Sequence, residues 1–443
     1  MGVSRKFVWL VATVAVLVLS FGLSAVSAQQ TEFSLDDCIK AALDHNANVI
    51  SKKNQVKAAK WNVWEAWGNV LPSVSTSANY SFSKTFGPQF IQLPDTAYIG
   101  TDPGSKRYST GLGVNFTIFD AGATWLNIRN AGLAKGSAER DYNSTVADIA
   151  YNTKIAYYTL LTANMLLSVQ QDALKRSEKQ LEVVSSRYEL GSASQSEKLK
   201  AEVTVANDSL TLLQRENDIS VAEFNLNVLL NRDVSLPIKA TDQLEPVTLE
   251  KTMDDYVNAS MESNPGLQKL RLDLQAAKNS VWLARQIWLP RVTASLGWGW
   301  NPVGSDDWFS YKYEDGSYRF GVSISYNLFD AFKKKTQPAK AKLTAMSLYE
   351  SLNQQENTLK ANVHEAYLNF QKSRLQLEVS KLAERSAQED FRLQQERYRL
   401  GASSILELLD SQVSLTNAQY SRVQALFQLN QAAANIARSL GQK

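Results

Sequence analysis

The spacing of apolar positions changes period along the chain, and each change marks an element. From Ser73 to Ser83, Val74, Thr76, Ala78, Tyr80 and Phe82 alternate with serine and asparagine. Leu112, Val114, Phe116 and Ile118 alternate with glycine, asparagine and threonine. The same period returns at Val292, Ala294, Leu296, Trp298 and Trp300, then at Phe320, Val322, Ile324, Tyr326 and Leu328. Period-two alternation predicts strands with one apolar and one polar face, here over 73–83, 108–119, 291–300 and 318–329. Elsewhere the period lengthens. No proline interrupts 121–189, where Leu160, Leu167, Leu174, Leu181 and Tyr188 recur every seven residues. The stretch 331–399 holds one proline, Pro338, and a seven-residue ladder at Leu368, Leu375 and Leu382. Such helices would be about 100 Å long, beyond any globular domain, and heptad spacing packs them along neighbours as coiled coils. Gly191 and Gly401 end them, as glycine does at a helix C-terminus. Shorter helices are expected over 46–70, 195–231, 264–288 and 404–440.

These elements are written twice. Arg187-Tyr-Glu-Leu-Gly-Ser-Ala-Ser194 recurs as Arg397-Tyr-Arg-Leu-Gly-Ala-Ser-Ser404, an offset of 210. Ile118-Phe-Asp-Ala121 recurs at the same offset as Leu328-Phe-Asp-Ala331. Ala156-Tyr157 recurs as Ala366-Tyr367. Before the strands the offset is 218, matching Asn46 with Asn264, Trp64 with Trp282, and Leu71-Pro72 with Leu289-Pro290. A register held this long indicates a tandem duplication, with a first repeat over 29–250 and a second over 251–443. The two shorter helices of a half, laid end to end, match one long helix in length. Each chain then supplies four helical columns and four strands.

Composition narrows the classes. With 21% charged and 44% apolar residues in 443, a disordered chain is excluded. A net charge of +3 gives no reason to expect nucleic acid as a partner. One cysteine excludes an internal disulfide framework, and two histidines argue against a histidine metal site. Cys38 reads as a small buried hydrophobe, and His45 and His364 as ordinary helix residues. No nucleotide loop, zinc spacing or nucleophile elbow is present, so neither enzyme nor cofactor is expected. Arg5 and Lys6 precede the apolar run Phe7 to Phe21 and the small residues Ser24 to Ala28. That order is a secretory signal peptide over 1–28, and the run is short of the ~20 residues a spanning helix needs.

Ten-residue strands with an apolar face and a small, uncharged polar face fit a transmembrane β-barrel, and a small sheet on a soluble core is the alternative. Trp61, Trp64, Trp67, Trp282 and Trp288 precede the strands, where an interfacial belt would lie. Four strands cannot close in lipid. Two copies give a side-chain-filled eight-stranded barrel; three give twelve strands and a helical tube with a bore of roughly 25 Å.

The duplication and the run Tyr398-Arg-Leu-Gly401-Ala-Ser-Ser-Ile-Leu-Glu407-Leu-Leu-Asp410, with Tyr188 to Lys200 as its partner, resemble the TolC-like outer-membrane efflux protein family over the whole mature chain. The Leu-Pro before each first strand and the Phe-Asp-Ala after each second strand are similar to it as well. The resemblance implies an α+β membrane protein: a tandem-duplicated protomer of a trimeric twelve-stranded transmembrane β-barrel, continuous with a long periplasmic α-helical barrel. It implies a homotrimer in the bacterial outer membrane, in contact with its lipid. It further implies docking of a periplasmic adaptor protein, linked to an inner-membrane transporter, at the turns: Gly191, Ser192, Ser194, Gly401, Ala402 and Ser403. Such a protein is the passive exit duct of a tripartite efflux or type I secretion system.

Carried over by residue, Glu407 and Asp410 match the family's acidic constriction, three apart on one helix face. Three copies would make a ring of carboxylates that attracts cations. Tyr398 and Glu197 match residues that tie helices together in the closed state, and Tyr188 is the repeat mate of Tyr398. The sequence departs from the family at Ser403, where a basic residue can tie protomers, and Lys200 stands at the first-half equivalent of Asp410. Two simpler readings stay open: acids in a first helical turn favour the helix dipole, and both tyrosines fit heptad packing. For the whole protein the alternative is an exported, membrane-anchored helical scaffold without transport.

Overall fold

A computed structural model describes residues 32–92, 97–101, 104–301 and 316–442, with the backbone alone at 88–92 and 97–101. The expected signal peptide over 1–28 lies outside the described residues, as does most of the loop between the second pair of strands. In chain order the elements are β1 (Glu32–Phe33), α1 (Leu35–His45), α2 (Ala47–Gly68), β2 (Ser73–Ser83), β3 (Pro88–Gln92), β4 (Ala97–Thr101), β5 (Ser105–Phe119), α3 (Ala123–Glu189) and α4 (Gln195–Leu230). There follow β6 (Lys239–Ala240), α5 (Met253–Ser263), α6 (Pro265–Arg285), β7 (Arg291–Trp300), β8 (Gly316–Ser325), α7 (Lys333–Arg399) and α8 (Ile405–Ser439). Among the described residues two compact units emerge: the chain up to Asn46, Ile149–Thr248 and Phe370–Ala434 in one, and Ala47–Asp148, Leu249–Asn369 and the chain from Asn435 onward in the other.

The second unit holds an antiparallel sheet in the order β2-β5-β7-β8. Its register stacks like on like. Val74, Val114, Leu296 and Phe320 form one rung, and Thr76, Leu112, Trp298 and Tyr318 another. The alternate rungs are small but for one arginine at the edge: Ser75, Gly113 and Gly297 with Arg319, then Ser77, Gly111, Gly299 and Ser317. Among the described residues nothing covers most of the apolar face, where Val74 is 65% exposed and Phe320 73%. A bulge between Thr117 and Phe119 ends the regular pairing of β5 with β7. β3 and β4 form a hairpin inside the loop between β2 and β5.

The sheet gives way to the long helices at the two Phe-Asp-Ala corners, and the motif explains the turn. Ala121 and Ala331 take positive φ (60° and 52°), which reverses the chain. Asp120 accepts from the Gly122 and Thr124 N–H groups at 3.1 and 2.8 Å, occupying donors that open α3. The corner also consumes the end of the last strand. β8 stops at Ser325, and Tyr326 and Leu328, whose alternation predicts strand, lie beyond it. Lys334 reaches back there to the Asn327 carbonyl, its ammonium 4.2 Å from the Tyr326 ring centroid and 5.3 Å from that of Trp288.

α3 and α7 have 67 residues each. Their buried stripe differs from the leucine ladder in α7. Leu368, Leu375 and Leu382 are exposed (56–65%), while Val363, Ala366, Phe370, Ser373, Leu377 and Ser380 are buried, spaced alternately three and four apart. That is the a/d seam of a coiled coil. Its small members permit close helix approach, and the Ser380 hydroxyl is satisfied by the Leu377 carbonyl at 2.9 Å.

The halves also share their locks. α1 and α5 open with the same capping box, Ser34 with Asp37 and Thr252 with Asp255. Asn46 Nδ2 donates to the Leu229 carbonyl at 3.2 Å, and its mate Asn264 donates to the Ser439 carbonyl at 3.0 Å. In the first unit Cys38 is fully buried, which pushes its thiol up to about 12. Of the histidines, His45 Nδ1 lies 3.0 Å from the Ala41 carbonyl and His364 Nδ1 3.0 Å from the Met253 sulfur.

Candidate functional site: the paired glycine turns

All sequence-indicated gate and docking residues lie in one unit, at the α3–α4 and α7–α8 turns. The two turns share a backbone. Gly191 (φ 73°) donates to the Tyr188 carbonyl at 2.9 Å, and Gly401 (φ 75°) to the Tyr398 carbonyl at 3.1 Å. One residue on, the Ser192 and Ala402 N–H groups each reach an arginine carbonyl, Arg187 and Arg397, at 2.8 Å. These bonds satisfy the last helical carbonyls. A Cβ on either glycine would meet nothing within 4 Å, so the left-handed φ, not crowding, demands glycine.

Side chains then separate the turns. Ser194 caps α4, its hydroxyl accepting from the Glu197 N–H at 3.3 Å, while the Glu197 carboxylate accepts from the Ser194 N–H at 2.6 Å. Glu197 is therefore folded back on its own helix end. Ser404 Oγ likewise accepts from the Glu407 N–H at 3.3 Å, but the Glu407 carboxylate takes its 2.7 Å bond from the Ser403 hydroxyl. Ser403 also lies 3.1 Å from Gln394 Oε1. Glu407 and Asp410 are exposed. Lys200, the mate of Asp410, is exposed as well, and Lys198 pairs with Glu202 at 3.9 Å.

The tyrosines differ most. Tyr398 is 6% exposed, clustered with Val184, Ala201, Ile405 and Leu408, whereas Tyr188 is 39% exposed with the Lys198 ammonium 5.6 Å from its ring centroid. Burial pushes the Tyr398 phenol above its ordinary value, and the neighbouring Arg187 charge offsets part of that. Arg187 escaped the sequence reading of the site. Its guanidinium crosses from the first half to the second, donating to the Tyr398 carbonyl at 3.3 Å and the Arg399 carbonyl at 3.2 Å. It also stacks 4.6 Å from the Tyr398 ring centroid. The available signal was the Arg-Tyr pair preceding both turns.

Strands of 10 to 15 residues with an uncovered apolar face, in a chain also built of long coiled-coil helices, define the class: an integral outer-membrane protein of the barrel-forming kind. No helix among the described residues is long and apolar enough to cross a membrane. The chain matches the family described as outer membrane efflux protein over residues 38–232 and 257–442. It is 22% identical to the pyoverdine export outer membrane protein OpmQ of Pseudomonas aeruginosa, over 92% of this chain and 85% of that protein. It is 21% identical to the outer membrane protein TolC of Escherichia coli, over 93% of this chain and 81% of that one. Its fold is similar to that of the outer membrane protein VceC from Vibrio cholerae, with a TM-score of 0.80 at 19% identity, covering 92% and 96% of the two chains. The chain belongs to the outer membrane efflux protein family. It is an outer-membrane efflux channel with duplicated halves, a transport protein and not an enzyme. Membership implies a trimeric channel working with other efflux pump components.

Proposed function

We propose that three copies, each made of the repeats 29–250 and 251–443 after loss of residues 1–28, close into one duct. The observation that carries this is the sheet: β2 and β8 are its edges, and among the described residues most of its apolar face is uncovered. A sheet edge in lipid leaves backbone groups unpaired at several kcal/mol each. Pairing β8 of one copy with β2 of the next removes every edge and gives twelve strands. The exposed tryptophans Trp61, Trp64, Trp282 and Trp288 suit a membrane interface.

The helices then form a periplasmic tube, and the glycine turns its end. Glu407 and Asp410 of three copies ring the bore as the gate, tuned by Tyr398, Glu197 and Tyr188. The exposed Gly191, Ser192, Ser194, Gly401 and Ala402, with the half-buried Ser403, receive the periplasmic adaptor. Glycine turns suit that task, since backbone and small hydroxyls approach a partner closely. Cargo passes passively, the inner-membrane transporter supplying the energy. The test is reconstitution in planar bilayers with the native mass measured in parallel. An inserted trimer should conduct; one that never does would make the protein a scaffold.

A further inference from the structure

Within one chain the repeat leaves one contact unmade. Arg187 binds the end of the second long helix through two carbonyls, Tyr398 and Arg399, and through the Tyr398 ring. Those carbonyls belong to the helix C-terminus, where intrahelical partners run out and positive charge is favoured. A guanidinium serves both purposes, since it forks to two acceptors and stacks on an aromatic face. The 210-residue offset puts Arg397 at the place of Arg187 and Tyr188 at that of Tyr398. Both residue types are kept, yet the bond is not. Arg397 turns back on its own turn, donating to the Ala402 carbonyl at 3.3 Å, and Tyr188 is left far more exposed than its mate.

Elsewhere the repeat does reproduce a contact between distant segments of one chain. Asn46 with Leu229 and Asn264 with Ser439 are such a pair, at matching positions of the two halves. In a closed ring of three copies, first and second turns alternate, so each second turn has the next copy's first turn on its free side. We propose that Arg397 pins the next copy of this chain, donating to its Tyr188 and Glu189 carbonyls and stacking on its Tyr188 ring. The tip is then closed by six arginine–tyrosine pins, three within chains and three between them. This rests on the trimeric ring proposed above.

The test uses two cysteine pairs in a Cys38→Ala background, Arg397→Cys with Tyr188→Cys and Arg187→Cys with Tyr398→Cys, each treated with a short bis-maleimide. The first pair should give covalent dimers and trimers on a denaturing gel. The second should stay at monomer mass, with its internal link found by mass spectrometry. Native mass of the untreated variants reads the ring separately. An intact trimer in which the first pair stays monomeric while the second links would overturn the pin alone; absence of a trimer would overturn the ring and the pin together. Arg397→Ala in the otherwise unaltered chain should lower the temperature at which the trimer dissociates in detergent by several degrees, and an unchanged temperature would also overturn the pin.

Discussion

At the first glycine turn the acid three residues into the helix is spent on its own cap; at the second the equivalent acid is exposed beside another one turn on. The apolar contacts divide the same way. Val184, Tyr398, Ile405 and Leu408 pack together across the halves, while their repeat mates are Gln394, Tyr188, Gln195 and Lys198. The shared backbone shows that duplication conserved what glycine and main-chain bonds dictate. The side chains show that the seam inside the chain is apolar, while the repeat-equivalent positions are largely polar. Packing energy therefore concentrates on one side of the second turn.

The largest effect should come from that seam. Leu408→Ala removes a fully buried side chain and should cost about 2–5 kcal/mol, whereas Lys198→Ala at the mate position should stay within about 0.5 kcal/mol. Chemical unfolding followed by helical circular dichroism measures both, and equal costs would break the comparison. Next, Arg187→Ala should cost about 1.5–3 kcal/mol through its charged hydrogen bonds. Arg187→Lys should recover only part, since an ammonium neither forks nor stacks as a guanidinium does. Ser194→Ala should cost about 1 kcal/mol, with Ser404→Ala costing less because Glu407 does not complete a reciprocal box.

The smallest effect concerns pH. The Tyr398 phenol is raised in the folded state, so its contribution is complete below the unfolded value of about 10 and is lost as pH rises through the folded one. Tyr398→Phe should flatten stability above that pH, as a titration of unfolding midpoints would show.

Much of the fold is legible in the sequence. Strand alternation such as that of Val74 to Phe82 reports a two-faced sheet directly, and the 210-residue offset reports the duplication. The end of β8 was not legible, because Tyr326 and Leu328 keep the alternation while the corner at Ala331 claims the backbone. Nor was the true seam of α7. Leucines attract the eye, but the buried heptad runs through Ala366, Ser373 and Ser380, which are chosen for closeness and not for hydrophobicity. At the turns, repetition singled out the glycines and tyrosines, and the family resemblance the acids Glu407 and Asp410. It could not say that Arg187 crosses to the other half while Arg397 does not, because that depends on which neighbour shares the chain.

The central claim is that the second turn carries the gate and the first only supports it. Conductance in planar bilayers, with block by a multivalent cation, tests this on wild type, Glu407→Ala/Asp410→Ala and Glu197→Ala/Lys200→Ala. The account predicts strong block in wild type and in the first-turn variant, and weak block in Glu407→Ala/Asp410→Ala. Equal block in all three proteins, or its loss only in the first-turn variant, would contradict it.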